Sequence, residues 1–315
     1  MNEFANHEGA HACTEASEDK DCRALIEDVN ALVPAAVLSR RGFVAGSLTA
    51  GFAASVAPTG ELLAQTITTP TEGLRAEVVS IPMPDGQSVP GYLAAPRTFR
   101  RTPIVLVVQE IFGVHEHIRD VCRRLARAGY CAIAPELFFR QGDPAKLEAA
   151  AEILKTIVPR VTDAQVMSDL DATVAFARAN GGDDSRMAIT GFCWGGRITW
   201  LYAAHNPRVK AAVAWYGKVV QDKTPLQPQN PIDMAASLRV PVLGLYGGKD
   251  AGIPLEGVDR MRDALSRGKS GSEIVVYPDA GHAFHADYRP SYRETEARDG
   301  WRRCVDWMRR HGVSA

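Results

Sequence analysis

Residues 191–196 read Gly-Phe-Cys-Trp-Gly-Gly, and they follow the short apolar run Met187-Ala188-Ile189. A helix-compatible segment comes next. A residue at the centre of a sharp strand-to-helix turn takes unfavourable backbone angles, so its neighbours must be small. A sulfur at such a turn also sits at a helix N-terminus, where unpaired N–H groups and the dipole favour a thiolate. Two readings stand at this point. Cys193 is a nucleophile presented on an elbow, or a small buried residue in a tight packing corner. Three other segments carry groups that would work with a thiol: Gln109-Glu110-Ile111-Phe112-Gly113, Gly248-Lys249-Asp250 and Asp279-Ala280-Gly281-His282. Alone, each is an ordinary turn or loop. Together, a thiol, a carboxylate and an imidazole are the parts of nucleophilic acyl transfer.

The segments that must position these groups read as alternating strands and helices. Residues 75–81 and 88–95 predict an antiparallel pair joined by Pro84-Asp85-Gly86. PIVLVVQ (103–109) is a continuous apolar run, as in a strand buried on both faces. Further strands are expected at 130–135, just before the elbow, and at 211–217, 240–247 and 273–278. Helices are expected at 115–128, 144–157, 162–179, from the elbow to about Ala204, near 256–266, and over 291–310. Residues 218–236 read as a Pro- and Gln-rich loop. The pattern predicts an α/β fold: one mostly parallel central sheet with helices on both faces. Active groups in such sheets gather at the carboxyl ends of strands. Glu110, Cys193, Asp250 and His282 each stand just past one.

The chain has 315 residues, 46% hydrophobic and 23% charged, with a formal net charge of −1. That length accommodates one large domain over 71–315. The charge balance gives no reason to propose a nucleic acid or an anionic membrane surface as partner. Residues 1–70 differ. Ser39-Arg40-Arg41-Gly42-Phe43-Val44 precedes a weakly apolar, small-residue-rich run, which resembles a twin-arginine export signal. The expectation is a periplasmic or exported protein that meets the export machinery through its leader. Cleavage is expected after Ala64 rather than Ala57, which Pro58 follows. A disordered cytoplasmic tail is the alternative. The run is too short and too weakly apolar to predict a stable membrane anchor. Of six cysteines, Cys122, Cys131, Cys193 and Cys304 lie beyond the leader, with no spacing that suggests a metal site. Whether Cys122 and Cys131 pair is open.

The segments QEIFGVHEHIRD, GFCWGGR, YGGKDAGIP and AGHAFHADYRPSY resemble those of the dienelactone hydrolase (carboxymethylenebutenolidase) family. The likeness covers roughly residues 75–311. It implies an α/β-hydrolase fold and hydrolysis of a small lactone or ester, with no cofactor and no metal. The order nucleophile, acid, histidine fits. The resemblance implies that Cys193 forms the acyl-enzyme, His282 moves protons and Asp250 orients the imidazole. The backbone N–H groups of Ile111 and Trp194 would hold the oxyanion. It also implies that Glu110 binds the resting thiol and helps generate the thiolate once substrate enters. The plainer expectation for Glu110 is an ion pair with an arginine at the strand end.

One departure bears on the substrate. The family's best-known form has an arginine four residues after the histidine, and Ala286 stands there. Arg289 is the nearest later arginine, with Arg140 and Arg160 as further candidates for binding a substrate carboxylate. Phe112, Phe284, Tyr288 and Trp194 are candidate pocket walls. The competing readings are a general carboxylesterase, a non-catalytic binding module and a thiol-redox protein. The last would need a resolving cysteine near Cys193.

Overall fold

The computed structural model describes residues 66–98 and 100–315. The export segment and both cleavage positions lie outside the described residues. An eight-stranded sheet has the order β1-β2-β4-β3-β5-β6-β7-β8. Its strands are β1 (Leu74–Pro82), β2 (Ser88–Pro96), β3 (Thr102–Val108), β4 (Cys131–Pro135), β5 (Gly182–Phe192), β6 (Ala211–Trp215), β7 (Val242–Gly247) and β8 (Glu273–Tyr277). β2 runs antiparallel to both its neighbours, and β4, β3, β5, β6, β7 and β8 run parallel.

Every residue of β3, β4, β6 and β7 is buried. Side chains alternate between faces along a strand, so complete burial means both faces are covered. The covering helices include α1 (Glu116–Arg127), α2 (Ala150–Thr156), α3 (Asp163–Ala179), α4 (Trp194–His205), α5 (Pro231–Met234), α6 (Leu255–Ser266) and α7 (Glu294–Arg310). In α3 the stripe Val166, Leu170, Val174 and Ala177 is buried, as its spacing predicts. Thr162 caps that helix by accepting from the Gln165 N–H at 3.0 Å.

The structure departs from expectation in four places. The helix expected over 144–157 is split: a 3₁₀ turn at Pro144–Lys146, an extended Leu147, then α2. Leu147 packs against the core, and that contact overrides local propensity. The loop expected over 218–236 holds α5, one turn fixed by a reciprocal Asn230–Asp233 capping box. The strand expected to reach 217 stops at Trp215, because Tyr216 has φ +36°. Finally, Ile67–Pro70, assigned by the sequence to the leader, is tied to the domain. The Thr69 N–H donates to Asp120 at 2.5 Å, the Ile67 N–H to Asp287 at 3.4 Å, and the Pro70 carbonyl accepts from Arg127 at 3.2 Å. Among the described residues, no helix is long and apolar enough to cross a membrane.

The register aligns Val108 with Gly191, Phe192 with Trp215, Trp215 with Leu245, and Gly247 with Tyr277. The loops after β3, β5, β6, β7 and β8 therefore open at one sheet edge.

Candidate active site

The glycines around Cys193 are imposed by close backbone approach. A Cβ on Gly191 would lie 2.3 Å from the Gly195 oxygen. One on Gly195 would lie 2.4 Å from the Gln109 oxygen, and one on Gly196 2.5 Å from the Trp215 oxygen. Cys193 itself has φ 55°, ψ −117°, a strained conformation for a residue with a side chain. Its N–H donates to the Trp215 carbonyl at 3.0 Å, which ties the elbow to β6. The packing-corner reading predicts a buried sulfur, but Cys193 is partly exposed. The backbone N–H groups of Ile111 and Trp194 have no acceptor among the described residues. One follows β3 and the other directly follows Cys193, and unpaired donors of this kind are what a developing oxyanion needs.

On one flank of the sulfur lie His282 and Asp250. The His282 Nδ1 donates to Asp250 Oδ2 at 2.7 Å, and the Cys193 sulfur is near enough to act on the charge of the same ring. Asp250 is buried and its other oxygen accepts from the Gly252 N–H at 3.0 Å, so the carboxylate is fixed from two sides. Burial alone would push the imidazole toward neutrality. The charges of Asp250 and Cys193, with the hydrogen bond to Asp250, overcome it and hold His282 well above the ordinary histidine range.

The other flank is denser. Glu110 is buried, and it accepts from the Tyr288 hydroxyl at 2.8 Å. His115 Nε2 lies 3.4 Å from the same carboxylate oxygen. Burial would raise the Glu110 carboxyl; the Arg289 guanidinium, then His115, outweigh it and hold Glu110 well below the usual carboxylate range. Arg289 Nε donates to the Tyr288 hydroxyl at 2.9 Å, and its guanidinium lies 4.5 Å from the centre of the Phe112 ring. Behind them His117 Nδ1 bonds Asp287 at 3.0 Å, and Arg124 pairs with Asp287 and Asp120. Asp120 is the same carboxylate that receives Thr69, so the polar network of His117, Asp287 and Arg124 extends to the start of the described chain.

The structure brings together Cys193, Asp250, His282, Glu110, Ile111, Trp194, Phe112, Tyr288 and Arg289. It does not bring Phe284 to the sulfur as a wall. That ring is fully buried between Trp215, Tyr216 and Tyr277. Glu110 accepts from Tyr288 and makes no hydrogen bond to the thiol among the described residues. Arg140 is committed elsewhere, to Asp85 and Asp169, and Arg160 donates to the Gln141 carbonyl. Cys122, Cys131 and Cys304 are unpaired and buried. Burial pushes the Cys131 and Cys304 thiols up to about 12 and Cys122 higher still. Thiols held protonated in this way are poor resolving partners for Cys193.

Four site residues were not singled out from the sequence: His115, His117, Tyr216 and His285. The first two lie in the quoted QEIFGVHEHIRD segment, where their closeness to Glu110 was an available signal. Tyr216 follows a strand at the active edge, which was another. His285, buried against Trp215 at 4.5 Å between ring centres, lies in the quoted AGHAFHADYRPSY segment, where its closeness to His282 was the signal.

Comparison with known proteins follows this geometry. The model of the dienelactone hydrolase family matches residues 89–312. A Methylorubrum extorquens protein named "Putative carboxymethylenebutenolidase" is 57% identical over 289 residues, covering 91% of this chain and 98% of its own. An Escherichia coli protein of the same name is 54% identical over 263 residues, covering 83% and 96%. The crystal structure named as a putative dienelactone hydrolase from Klebsiella pneumoniae superposes with a TM-score of 0.73 at 57% identity, covering 75% of this chain and 98% of that one.

Proposed function

The chain belongs to the dienelactone hydrolase family, and from that premise we propose that this hydrolase opens a small lactone or carboxylic ester through a Cys193 acyl-enzyme. The observation that carries the reading is the hydrogen-bonded Asp250–His282 pair set beside Cys193 on a strained, partly exposed elbow.

In this reading the Cys193 sulfur attacks the carbonyl carbon as a thiolate, its proton held by His282. Asp250 stabilises the imidazolium and fixes the ring. The Ile111 and Trp194 N–H groups receive the oxyanion, and losing one such donor costs about 3–4 kcal/mol of barrier. His282 then protonates the leaving oxygen. For a lactone that oxygen stays on the acyl chain. His282 next deprotonates the water that releases the acid and restores the thiol.

An ionised Glu110 with a depressed proton affinity is a poor base, so His282 is the thiol's acceptor in this resting arrangement. For Glu110 to bind the thiol, as the resemblance implies, its Oε1 would accept while Oε2 keeps the Tyr288 hydroxyl. Arg289 supports a substrate that carries a carboxylate. It reaches the site although Ala286 stands at the expected position, and the fork of its guanidinium suits a carboxylate.

The test is hydrolysis of a dienelactone and of an activated aryl ester by wild type and Cys193→Ala. Turnover of both, abolished in the variant, supports the reading. Turnover of the aryl ester alone points to another acyl group, and full activity in Cys193→Ala refutes the nucleophile. The twin-arginine-type segment supports export. Arg40→Lys with Arg41→Lys should then retain the chain in the cytoplasmic fraction, and unchanged fractionation would argue for a cytoplasmic protein.

A further inference from the structure

Tyr216 has no part in the chemistry described so far, yet it is held in place at structural cost. It follows β6 with φ +36°, where an aromatic residue is strained. Its side chain is fully buried, and its hydroxyl has no hydrogen-bond partner among the described residues. Buried hydroxyls are ordinarily paired, and strain of this kind persists only where the surroundings over-determine it. Here they do. The Tyr216 N–H donates to the Leu245 carbonyl at 2.8 Å, and a Cβ on the next residue, Gly217, would lie 2.3 Å from the Gly196 carbonyl carbon. The turn after β6 is wedged against the elbow.

The ring stands edge-on to His282, 5.2 Å between centres, and to Phe284 at 5.3 Å. Phe284, expected as a pocket wall, thus acts as the support behind Tyr216. Burial raises the phenol well above its ordinary range, and the nearby Glu110, Tyr288 and Cys193 add to it, so Tyr216 stays a neutral O–H donor. Arg289 is the cation in the same group of neighbours. The other phenol of that group, Tyr288, already donates to Glu110.

We propose that the Tyr216 hydroxyl is a substrate-recognition donor, which hydrogen-bonds the carboxylate of an acidic acyl group beside Arg289 when that group occupies the nucleophile pocket. The proposal rests on the hydrolase reading of the same site. It explains why the hydroxyl lacks an internal partner: an acceptor within the protein would compete with the substrate. A purely structural tyrosine would show the opposite pattern, a hydroxyl paired in the free protein.

The test is Tyr216→Phe, which keeps the ring and its packing. Two lactones are compared, the dienelactone with its exocyclic carboxylate and its decarboxylated methylene analogue. The kcat/KM for the acidic lactone should fall about 10- to 100-fold, the range for a hydrogen bond to a charged group. For the analogue it should change less than about twofold. The Tm of the free variant should be unchanged or higher, because an unpaired buried hydroxyl is removed. Equal losses on both lactones, no loss on either, or a lower Tm would overturn the proposal. A second arm needs no turnover. The acidic lactone should raise the Tm of Cys193→Ala more than that of Cys193→Ala/Tyr216→Phe. Equal shifts, including none in either, would also overturn it. Failure of wild type to turn over either lactone or the activated aryl ester would refute the hydrolase reading, while this binding arm still judges Tyr216.

Discussion

The two flanks of Cys193 are built on different principles. On one side stand His282 and Asp250, two residues whose hydrogen bonds are all made within the site. On the other stand Glu110, Tyr288, Arg289, His115 and His117, a crowded network in which one buried ring nitrogen each of His115 and His117 makes no hydrogen bond among the described residues. The first flank is complete in the resting protein. The second is held together by charge compensation, with Arg289 offsetting Glu110 and Arg124 offsetting Asp287. A chemical step that recurs in every turnover suits the closed arrangement. Recognition of an incoming group suits the open one, because unsatisfied donors discriminate strongly between ligands that pair with them and ligands that do not.

Variants can separate the flanks. The largest effect is expected for Cys193→Ala, with kcat reduced about 10⁴-fold or more on every substrate, read by pre-steady-state release of the leaving group. Asp250→Asn should follow, with about 10²- to 10⁴-fold lower kcat and little change in KM, since the imidazole loses its charge partner. Equal losses in kcat from substitutions on both flanks would erase the contrast. Arg289→Lys removes the guanidinium fork but keeps the charge. It should cost about 10- to 100-fold in kcat/KM on a carboxylate-bearing lactone, with a simple aryl ester changed only a few-fold.

The smallest effect is on stability. Burial favours the protonated forms of Glu110 and Asp287. For Glu110, Arg289 and His115 overcome it; for Asp287, His117 and Arg124 do so. Both are held well below the ordinary carboxylate range. Between the folded and unfolded values the unfolded chain binds more protons, so stability rises with pH in that window. The contribution is full above about pH 5 and erodes as pH falls below about 4.3 toward the lowered folded values. Glu110→Gln should lower Tm at neutral pH and converge on wild type in acid. A parallel offset at all pH values would show that the network is not charge-compensated.

The contrast also marks what the sequence could reveal. Each residue of the closed flank follows a strand in a short, glycine-punctuated segment, and strand order places such ends together without further information. Gly191 and Gly195 were legible because close backbone approach leaves no room for a side chain. The open flank depends on tertiary geometry. Arg289 reaches the site through a loop whose path no local pattern encodes, so Ala286 read as a loss. Leu147 and the turn at Pro231–Met234 were missed for a similar reason: a single packing contact or one capped turn carries no periodicity. Tyr216 was hidden because the sequence there looks like more strand, and only its positive φ shows that the strand has ended.

The three deeply buried thiols have a practical consequence. At neutral pH a gentle thiol-alkylating reagent meets Cys193 and no other accessible thiol between residues 66 and 315 while the domain is folded. In a chain carrying Cys13→Ser and Cys22→Ser, a molecule with one label is a folded domain with a reactive elbow, and one with up to four labels is a domain that has opened. A single mass spectrum of a timed labelling reaction would thus report active-site concentration and unfolding together, with no substrate required.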